Sequence, residues 1–379
     1  GSTYPYNPYP FPWVNHLFQD APSIAIGIFE GQMRKMADGF AEVRRARKLV
    51  EGTWDEARDE PTLRDLTWEE FDDTEFKLCP PILSIGGDGA MLDIGFQNLS
   101  RLMASGKPIR VLVLDTQVYS NTGGQACTSG FTGQIADMSA WGSAHHGKEE
   151  VRKELGYIAM AHRGVFVHQS SQALASHLME GVIRGLNSRR PAIFNIYTPC
   201  PVEHGLADDW APEAAKLALE ARAFPFFTYD PHCGEDIADC LTLDGNPALD
   251  DTWPTYALTY RDDDGNEITE AYPLTIADWA CTETRFRKHF RPIDEEDADD
   301  LVPFAEFLRL DHDERLGRRP FVWTVDSEGQ RSRLLASIEM VRLAEERLLY
   351  WHQLRELAGL DVPDTVRRDV TQRLEKQFA

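Results

Sequence analysis

Cysteine is scarce in this sequence. Six occur in 379 residues, at positions 79, 127, 200, 233, 240 and 281, too few and too dispersed to form a disulfide scaffold. None belongs to a Cys-x-x-Cys pair, and Cys233 and Cys240 are not at a structural zinc spacing. A reducing cytoplasm is therefore the expected location. Positive charge is also in deficit: 39 Lys and Arg face 62 Asp and Glu, for a net charge of −23. Phosphate backbones and anionic membrane surfaces select basic proteins, so neither nucleic acid nor a membrane is an expected partner. An anionic cofactor is still compatible, because local backbone donors can bind it. No run reaches the roughly 18 apolar residues that would cross a bilayer. The first twelve residues hold no basic stretch followed by an apolar run, so no secretion signal is expected there. What is present is globular: 42% apolar and 10% aromatic residues, in a length that buries a sizeable core.

The chain divides into three parts by pattern. Residues 1–22, with Tyr4-Pro-Tyr-Asn-Pro-Tyr-Pro-Phe-Pro-Trp13, read as an extended arm lying across another surface, as in the middle of something larger. Proline fixes φ and lacks the N–H that a helix or central strand needs. Residues 23–230 read as an α/β domain. It begins with a helix from Ser23 that ends in the basic Arg44-Arg-Ala-Arg-Lys48, as a helix C-terminus favours. A polar excursion over 51–77 follows. Four apolar runs then begin at Pro81, Ile109, Gly164 and Ala192. They alternate with helical patterns over Met91–Met103, Glu149–His162 and Gln172–Leu186. Strands that are apolar nearly throughout and alternate with helices predict a mostly parallel, doubly wound sheet covered on both faces. Residues 231–379 read as an irregular acidic and helical extension. Its clusters Asp262-Asp-Asp264 and Asp294-Glu-Glu-Asp297 fit solvated faces. A long helical pattern from Arg331 is stopped by Gly359 and Pro363.

Two loops at strand ends carry the candidate chemistry, where open α/β sheets bind ligands. The first is Gly86-Gly-Asp-Gly89. Its glycines let backbone N–H groups approach an anion at a helix start. Asp88 would repel that anion unless a cation stood between them, and magnesium diphosphate resolves the conflict with Asp88 as a hard oxygen ligand. The second loop, Asp115 to Gln125, begins 27 residues after Asp88. The Thr116 hydroxyl and the Val118 carbonyl would complete an oxygen shell, and Asn121 offers both donor and acceptor.

These residues resemble a known family. Gly87-Asp-Gly-Ala-Met-Leu-Asp-Ile-Gly95, Ala104-Ser-Gly106 and Val113-Leu-Asp-Thr-Gln-Val-Tyr-Ser-Asn-Thr-Gly-Gly-Gln125 are similar to the thiamine-diphosphate part of pyruvate:ferredoxin (flavodoxin) oxidoreductases, within the 2-oxoacid:acceptor oxidoreductases. Asn15-His-Leu-Phe-Gln-Asp20, Lys153–Met160, Tyr197–Gly205 and Phe224–Pro231 extend the resemblance over residues 4–231. It implies a thiamine-diphosphate-type fold, with Mg²⁺ held by Asp88, Thr116 and Val118. Gly87, Asp88, Gly89, Thr116, Val118, Asn121 and Thr122 would bind the cofactor, and Asn121 would lie near the reacting carbon as the catalytic residue. It further implies decarboxylation of a pyruvate-like 2-oxoacid, with electrons passing through [4Fe–4S] clusters to ferredoxin or flavodoxin and the acyl group passing to coenzyme A. The implied setting is a dimer of the full enzyme. The remaining domains or subunits would supply the other half of the site, so this chain alone would be inactive and would hold no cluster. Two departures stand out: Ala90 where the family often has an aromatic residue, and Gln19 where it has glutamate.

Other polar residues have plainer readings. His145 and His146 fit exposed loop positions, and Cys281 fits packing near Trp279 and Phe286. Cys127 sits beside the Asn121 loop, either as a small buried residue or as a site contact. Cys200 and His204 follow a strand end and either line the cleft or pack. Two other functions are compatible with the sequence: a non-redox thiamine-dependent decarboxylase component, and an interaction module with a vestigial cofactor site.

Overall fold

The computed structural model describes residues 19–262, 264–293, 300–362 and 364–378. Most of the proline-rich arm and the Asp294–Asp297 cluster lie outside these residues. The first helix spans Ala21–Val50, with Pro22 in its first turn and Arg47 and Lys48 in its last. Proline is tolerated there because the first-turn N–H groups have no partner within the helix.

Six strands form the main sheet. In chain order they are β1 (Ile82–Gly87), β2 (Ile109–Asp115), β3 (Phe166–Ser171), β4 (Ala192–Tyr197), β5 (Phe227–Tyr229) and β6 (Leu241–Thr242). Their spatial order is β1-β2-β4-β3-β5-β6. The four expected strands are parallel to one another, and β5 and β6 close the edge antiparallel. β1 pairs directly with β2, Ile82 opposite Ile109 through Gly87 opposite Leu114. The two candidate loops therefore leave neighbouring strands at the same end of the sheet.

The sheet's coverage is uneven. One face packs against helix Ala21–Val50, burying Phe29 and Met33 with Leu92, Val111, Val113, Val167 and Ile193. The other face is covered over β3 and β4 by helix Ala175–Asn187. Over β1 and β2, Leu83, Ile85 and Leu114 stay exposed, so the expected double cover is incomplete among the described residues. The segment 51–77 is less of a surface excursion than its polarity suggests, because Leu63, Leu66 and Phe71 are buried beneath the first helix.

Residues 231–379 hold more strand than their composition suggests. β7 (Thr255–Arg261) and β8 (Glu267–Pro273) form an antiparallel ribbon. Its turn is organised by Asp262, which accepts from the N–H groups of Asp264 and Asn266. A second sheet has the order β10-β11-β12-β9, from β9 (Phe290–Pro292), β10 (Leu301–Pro303), β11 (Arg319–Val325) and β12 (Arg331–Ala336). Here the sequence expectation fails: 331–336 is strand, and the helix begins only at Ile338. The cross-strand pairs Trp323–Arg333 and Phe321–Leu335, with Arg331 and Arg333 stacked over Trp323, outweigh the helical spacing of Leu334 and Ile338. The stop is as expected. After the helix ends at Leu357, Gly359 turns left-handed at φ 71°. Trp351 and Leu354 of this helix join the sheet's core. Trp279, Phe286, Phe304 and Met340 share a second core with Phe131, Tyr197 and Phe224. Among the described residues, no helix is long and apolar enough to cross a membrane.

Candidate cofactor site

The chain leaves β1 at Gly87 and enters a π-helical turn, Gly89–Ile94, before helix Phe96–Ala104. Turns of this kind inside helices are frequent at functional sites. Asp88, at its head, is buried and turns its carboxylate toward the loop after β2. Its Oδ2 accepts from the Val118 N–H at 3.1 Å, from the Cys127 thiol at 3.2 Å and from the Ser129 hydroxyl. Its Oδ1 lies 3.1 Å from Thr116 Oγ1, which is 2.9 Å from the Val118 carbonyl oxygen and accepts from Ser120 Oγ at 2.8 Å. The structure thus brings Asp88, Thr116 and Val118 together.

The donor set fits the ion expected there. A carboxylate oxygen, a hydroxyl and a main-chain carbonyl are hard ligands, and Mg²⁺ completes its shell with waters and phosphate oxygens rather than a full protein cage. Among the described residues no three His, Cys, Asp or Glu side chains converge as a metal cage. That is no obstacle to a set built from one carboxylate and two neutral oxygens. A Cβ on Gly87 would meet nothing within 4 Å, so the backbone beside Asp88 is open to approach.

Asn121 and Thr122 sit apart from this cluster. They belong to an exposed turn, Ser120–Thr122, followed by Gly123 and Gly124 at φ 105° and 93°. Those left-handed angles let the loop close, with the Gly124 N–H donating to the Tyr119 carbonyl and the Tyr119 N–H to the Gln125 carbonyl. Beside the turn lies a cavity of about 340 Å³ lined by Val118, Gly124, Asp137, Trp141, Glu203 and Lys288, among others. Lys288 comes from the C-terminal extension.

A buried polar layer supports the loop, and sequence reading missed most of it. Asp115 pairs with Arg152, both fully buried. The guanidinium also donates to the Ser129 carbonyl and lies over the rings of Phe131 and Phe224. This explains a second difference from expectation: helix is confined to Leu155–Met160 instead of starting at Glu149, because an extended 149–154 carries Arg152 inward to Asp115. His204 is buried and donates from Nε2 to the Thr116 carbonyl at 2.9 Å. Burial first, then the Arg285 charge, holds its pKa well below the usual histidine range, so it serves as a neutral donor. Gln117, Gln134, Glu283 and Arg285 complete the layer, all buried. Cys127 touches Asp88, and burial pushes its thiol pKa up, so it donates as a neutral thiol. Cys281 packs near Trp279 and donates to the Asp278 carbonyl. Cys200 precedes the short helix Pro201–His204. His145 is exposed, whereas His146 stacks on Trp141 and meets Glu339 at 2.9 Å.

The sequence is similar to known proteins. Residues 76–196 match the thiamine pyrophosphate enzyme family, C-terminal TPP binding domain. The segment contains both candidate loops and the four parallel strands up to the penultimate residue of the last. Pyruvate:ferredoxin and pyruvate-flavodoxin oxidoreductases are among the proteins the chain is similar to. The chain is 33% identical over 201 residues to pyruvate:ferredoxin oxidoreductase of Moorella thermoacetica, covering 53% of this chain and 16% of that one. It is 33% identical over 162 residues to pyruvate-flavodoxin oxidoreductase of Rhodospirillum rubrum, covering 42% and 13%. The matched region is thus about a sixth of these two relatives or less. A solved 2-oxoglutarate:ferredoxin oxidoreductase from Magnetococcus marinus aligns at 18% identity and TM-score 0.29, over 31% of this chain and 39% of that one, too weakly to argue from.

Proposed function

We propose that this chain is the thiamine-diphosphate-binding component of a 2-oxoacid oxidoreductase. The observation that carries the reading is the convergence of Asp88 Oδ1, Thr116 Oγ1 and the Val118 carbonyl at the ends of two adjacent parallel strands. These three would hold Mg²⁺, while Gly87, Gly89, Asn121 and Thr122 would meet the cofactor. Thiamine diphosphate, when bound, supplies a nucleophilic carbon and an electron sink for decarboxylation.

The chain's own groups hold and orient. Three donors fix Asp88 Oδ2 and leave Oδ1 beside the Thr116 hydroxyl and the Val118 carbonyl. Neutral His204 fixes the Thr116 carbonyl, and Arg152 holds the segment carrying Ser129. Exposed Asn121 presents a donor and an acceptor on the cofactor side of the turn, as the catalytic residue of this half of the site. The substrate is a pyruvate-like 2-oxoacid. The remaining domains or subunits would bear the [4Fe–4S] clusters that supply electron transfer to ferredoxin or flavodoxin, with coenzyme A as the acyl acceptor. The whole works as a dimer in the cytoplasm, a setting that six free cysteines suit.

Titration calorimetry with thiamine diphosphate and Mg²⁺ tests the reading. The wild-type chain should bind both together, and Asp88→Ala should abolish metal-dependent binding while leaving the circular dichroism spectrum unchanged. Undiminished affinity in that variant refutes the assignment. Binding without any 2-oxoacid-dependent electron transfer in the full assembly would favour a non-redox decarboxylase.

A further inference from the structure

The residue between the two loop ligands is Gln117, and it runs left-handed at φ 61°, a conformation that side-chain-bearing L-residues disfavour. On either side of this kink the Thr116 hydroxyl lies 2.9 Å from the Val118 carbonyl oxygen and 3.1 Å from Asp88 Oδ1. Unusual backbone at a candidate site persists only where its surroundings over-determine it, and here they do. Gln117 is fully buried. Its side-chain Oε1 accepts from Arg285 Nη2 at 2.7 Å, and its carbonyl accepts from Gln134 Nε2 at 2.8 Å. Gln134 Oε1 in turn accepts from Arg285 Nη1 at 3.2 Å and from the Phe131 N–H at 3.1 Å. Arg285 is itself aimed by Glu283, to which its Nε donates at 2.5 Å, and by the rings of Trp279 and Phe286. One guanidinium therefore grips both glutamines. It comes from the C-terminal extension, 168 positions from Gln117 and outside the matched segment 76–196.

We propose that Arg285 is a positioning residue for the cation site, locking Gln117 in the left-handed conformation that directs Thr116 and Val118 toward Asp88. The extension then has a task in cofactor binding, not merely in covering the sheet. The proposal rests on the reading of Asp88, Thr116 and Val118 as cation ligands.

The test uses the 379-residue chain with Mn²⁺ as the probe, in the presence of thiamine diphosphate. Mn²⁺ affinity is read by electron paramagnetic resonance, and exchange of the Val118 amide, which is bonded to Asp88, by hydrogen-exchange NMR. Arg285→Met alone would strand the buried Glu283 charge and risk unfolding, so the working variant is Arg285→Met/Glu283→Gln, checked by thermal melting. It should bind Mn²⁺ about 10- to 100-fold more weakly, as loss of an outer-shell partner does, and its Val118 amide should exchange faster. Adding Gln117→Gly, which adopts φ > 0 without penalty, should restore most of the affinity. If the Arg285 variants fail to fold, Gln117→Ala, which removes the gripped amide and leaves the ion pair intact, should show the same losses. Unchanged Val118 exchange in a folded variant overturns the proposal, and so does a loss of affinity that Gln117→Gly does not relieve. A wild-type chain that fails to hold Mn²⁺ with thiamine diphosphate refutes the cofactor reading and the positioning role with it. Normal wild-type binding with unaltered variants overturns the positioning role alone.

Discussion

A single methyl group at Gly89 separates two reasons why glycine stands there. A Cβ at this position would lie 2.3 Å from Tyr119 Cε1, 2.5 Å from Cδ1 and 2.6 Å from Cζ. Ordinary contact begins at 3.4 Å, so Gly89→Ala requires the Tyr119 ring to retreat by about 1 Å, a local overpacking that typically costs about 1–3 kcal/mol. Tyr119 follows Val118 directly, and its hydroxyl donates to the Gly89 carbonyl at 3.2 Å. The retreat therefore passes to the Val118 carbonyl, which sits 2.9 Å from Thr116 Oγ1. A cation shell has little tolerance for such a shift. The expected result is a melting point lower by roughly 1–4 °C, from that cost and the usual scaling with chain length. Affinity for Mg²⁺ with thiamine diphosphate should fall about tenfold or more, as when the support of a metal ligand is disturbed. Calorimetry and differential scanning calorimetry read the two effects separately. The double variant Gly89→Ala/Tyr119→Ala removes the ring and should recover much of the affinity. If it does not, the glycine serves the cofactor directly, as the resemblance implies. Wild-type affinity and an unchanged melting point in Gly89→Ala would show that the Tyr119 contact constrains neither fold nor site.

Further outcomes follow from individual groups. His168 is fully buried, 2.9 Å from Thr228 Oγ1, and burial first, then the charges of His177 and Arg184, pushes its pKa from 6.5 down to about 3. Between those values the unfolded chain binds the extra proton, so the contribution of this group is present above pH 6.5 and lost on acidification. Going from pH 7 to pH 5 should remove about 2 kcal/mol, and His168→Gln should flatten that slope in urea unfolding; an identical slope in the variant would refute the assignment. Cys127→Ser keeps a donor to Asp88 and should hold Mn²⁺ like wild type, while Cys127→Val should bind it several-fold to about tenfold more weakly; equal affinities would show that the thiol only fills space. The purified chain should not reduce a viologen dye with any 2-oxoacid, because an absent proton-transfer partner alone forfeits about 10²–10⁴-fold. Anaerobic reconstitution should give no stoichiometric [4Fe–4S] signal, since four thiolates must meet to hold a cluster.

The parallel sheet was legible because its signal is local. Ala192 to Tyr197 is a nearly apolar run bounded by turn residues, as a strand covered on both sides requires, and Ile109 to Leu114 carries the same signal although the cover over it is incomplete. That both loops leave the carboxyl ends of strands follows from where ligands bind in such sheets, and the direct pairing of β1 with β2 brings them together. Asp88, Thr116 and Val118 could then be grouped, because each lies within a few residues of a strand end. Strand β12 was not legible for a complementary reason. Leu334, Ile338 and Val341 have helical spacing, while the forces that make 331–336 a strand come from Trp323 and Phe321 across the hairpin. The extended 149–154 segment was hidden in the same way, its conformation dictated by Asp115, 37 positions from Arg152.

The layer beneath the loop marks where local reading ends. Nothing in Asp115-Thr-Gln-Val118 announces a left-handed glutamine, since the residue type disfavours that conformation and glycine is the usual signal for it. The cause lies with Arg285, itself read from the sequence as part of an irregular acidic extension. Net charge there suggested solvated surface, yet Glu283 and Arg285 are both almost fully buried and face each other at 2.5 Å. Charge composition reports the average of a segment, whereas a site is built from the few members that are turned inward. Burying such a pair costs desolvation energy that attraction and hydrogen bonding barely repay, so its presence needs a reason beyond stability. Two glutamines gripped by one guanidinium, directly behind the three converging oxygens proposed to hold a cation, supply that reason.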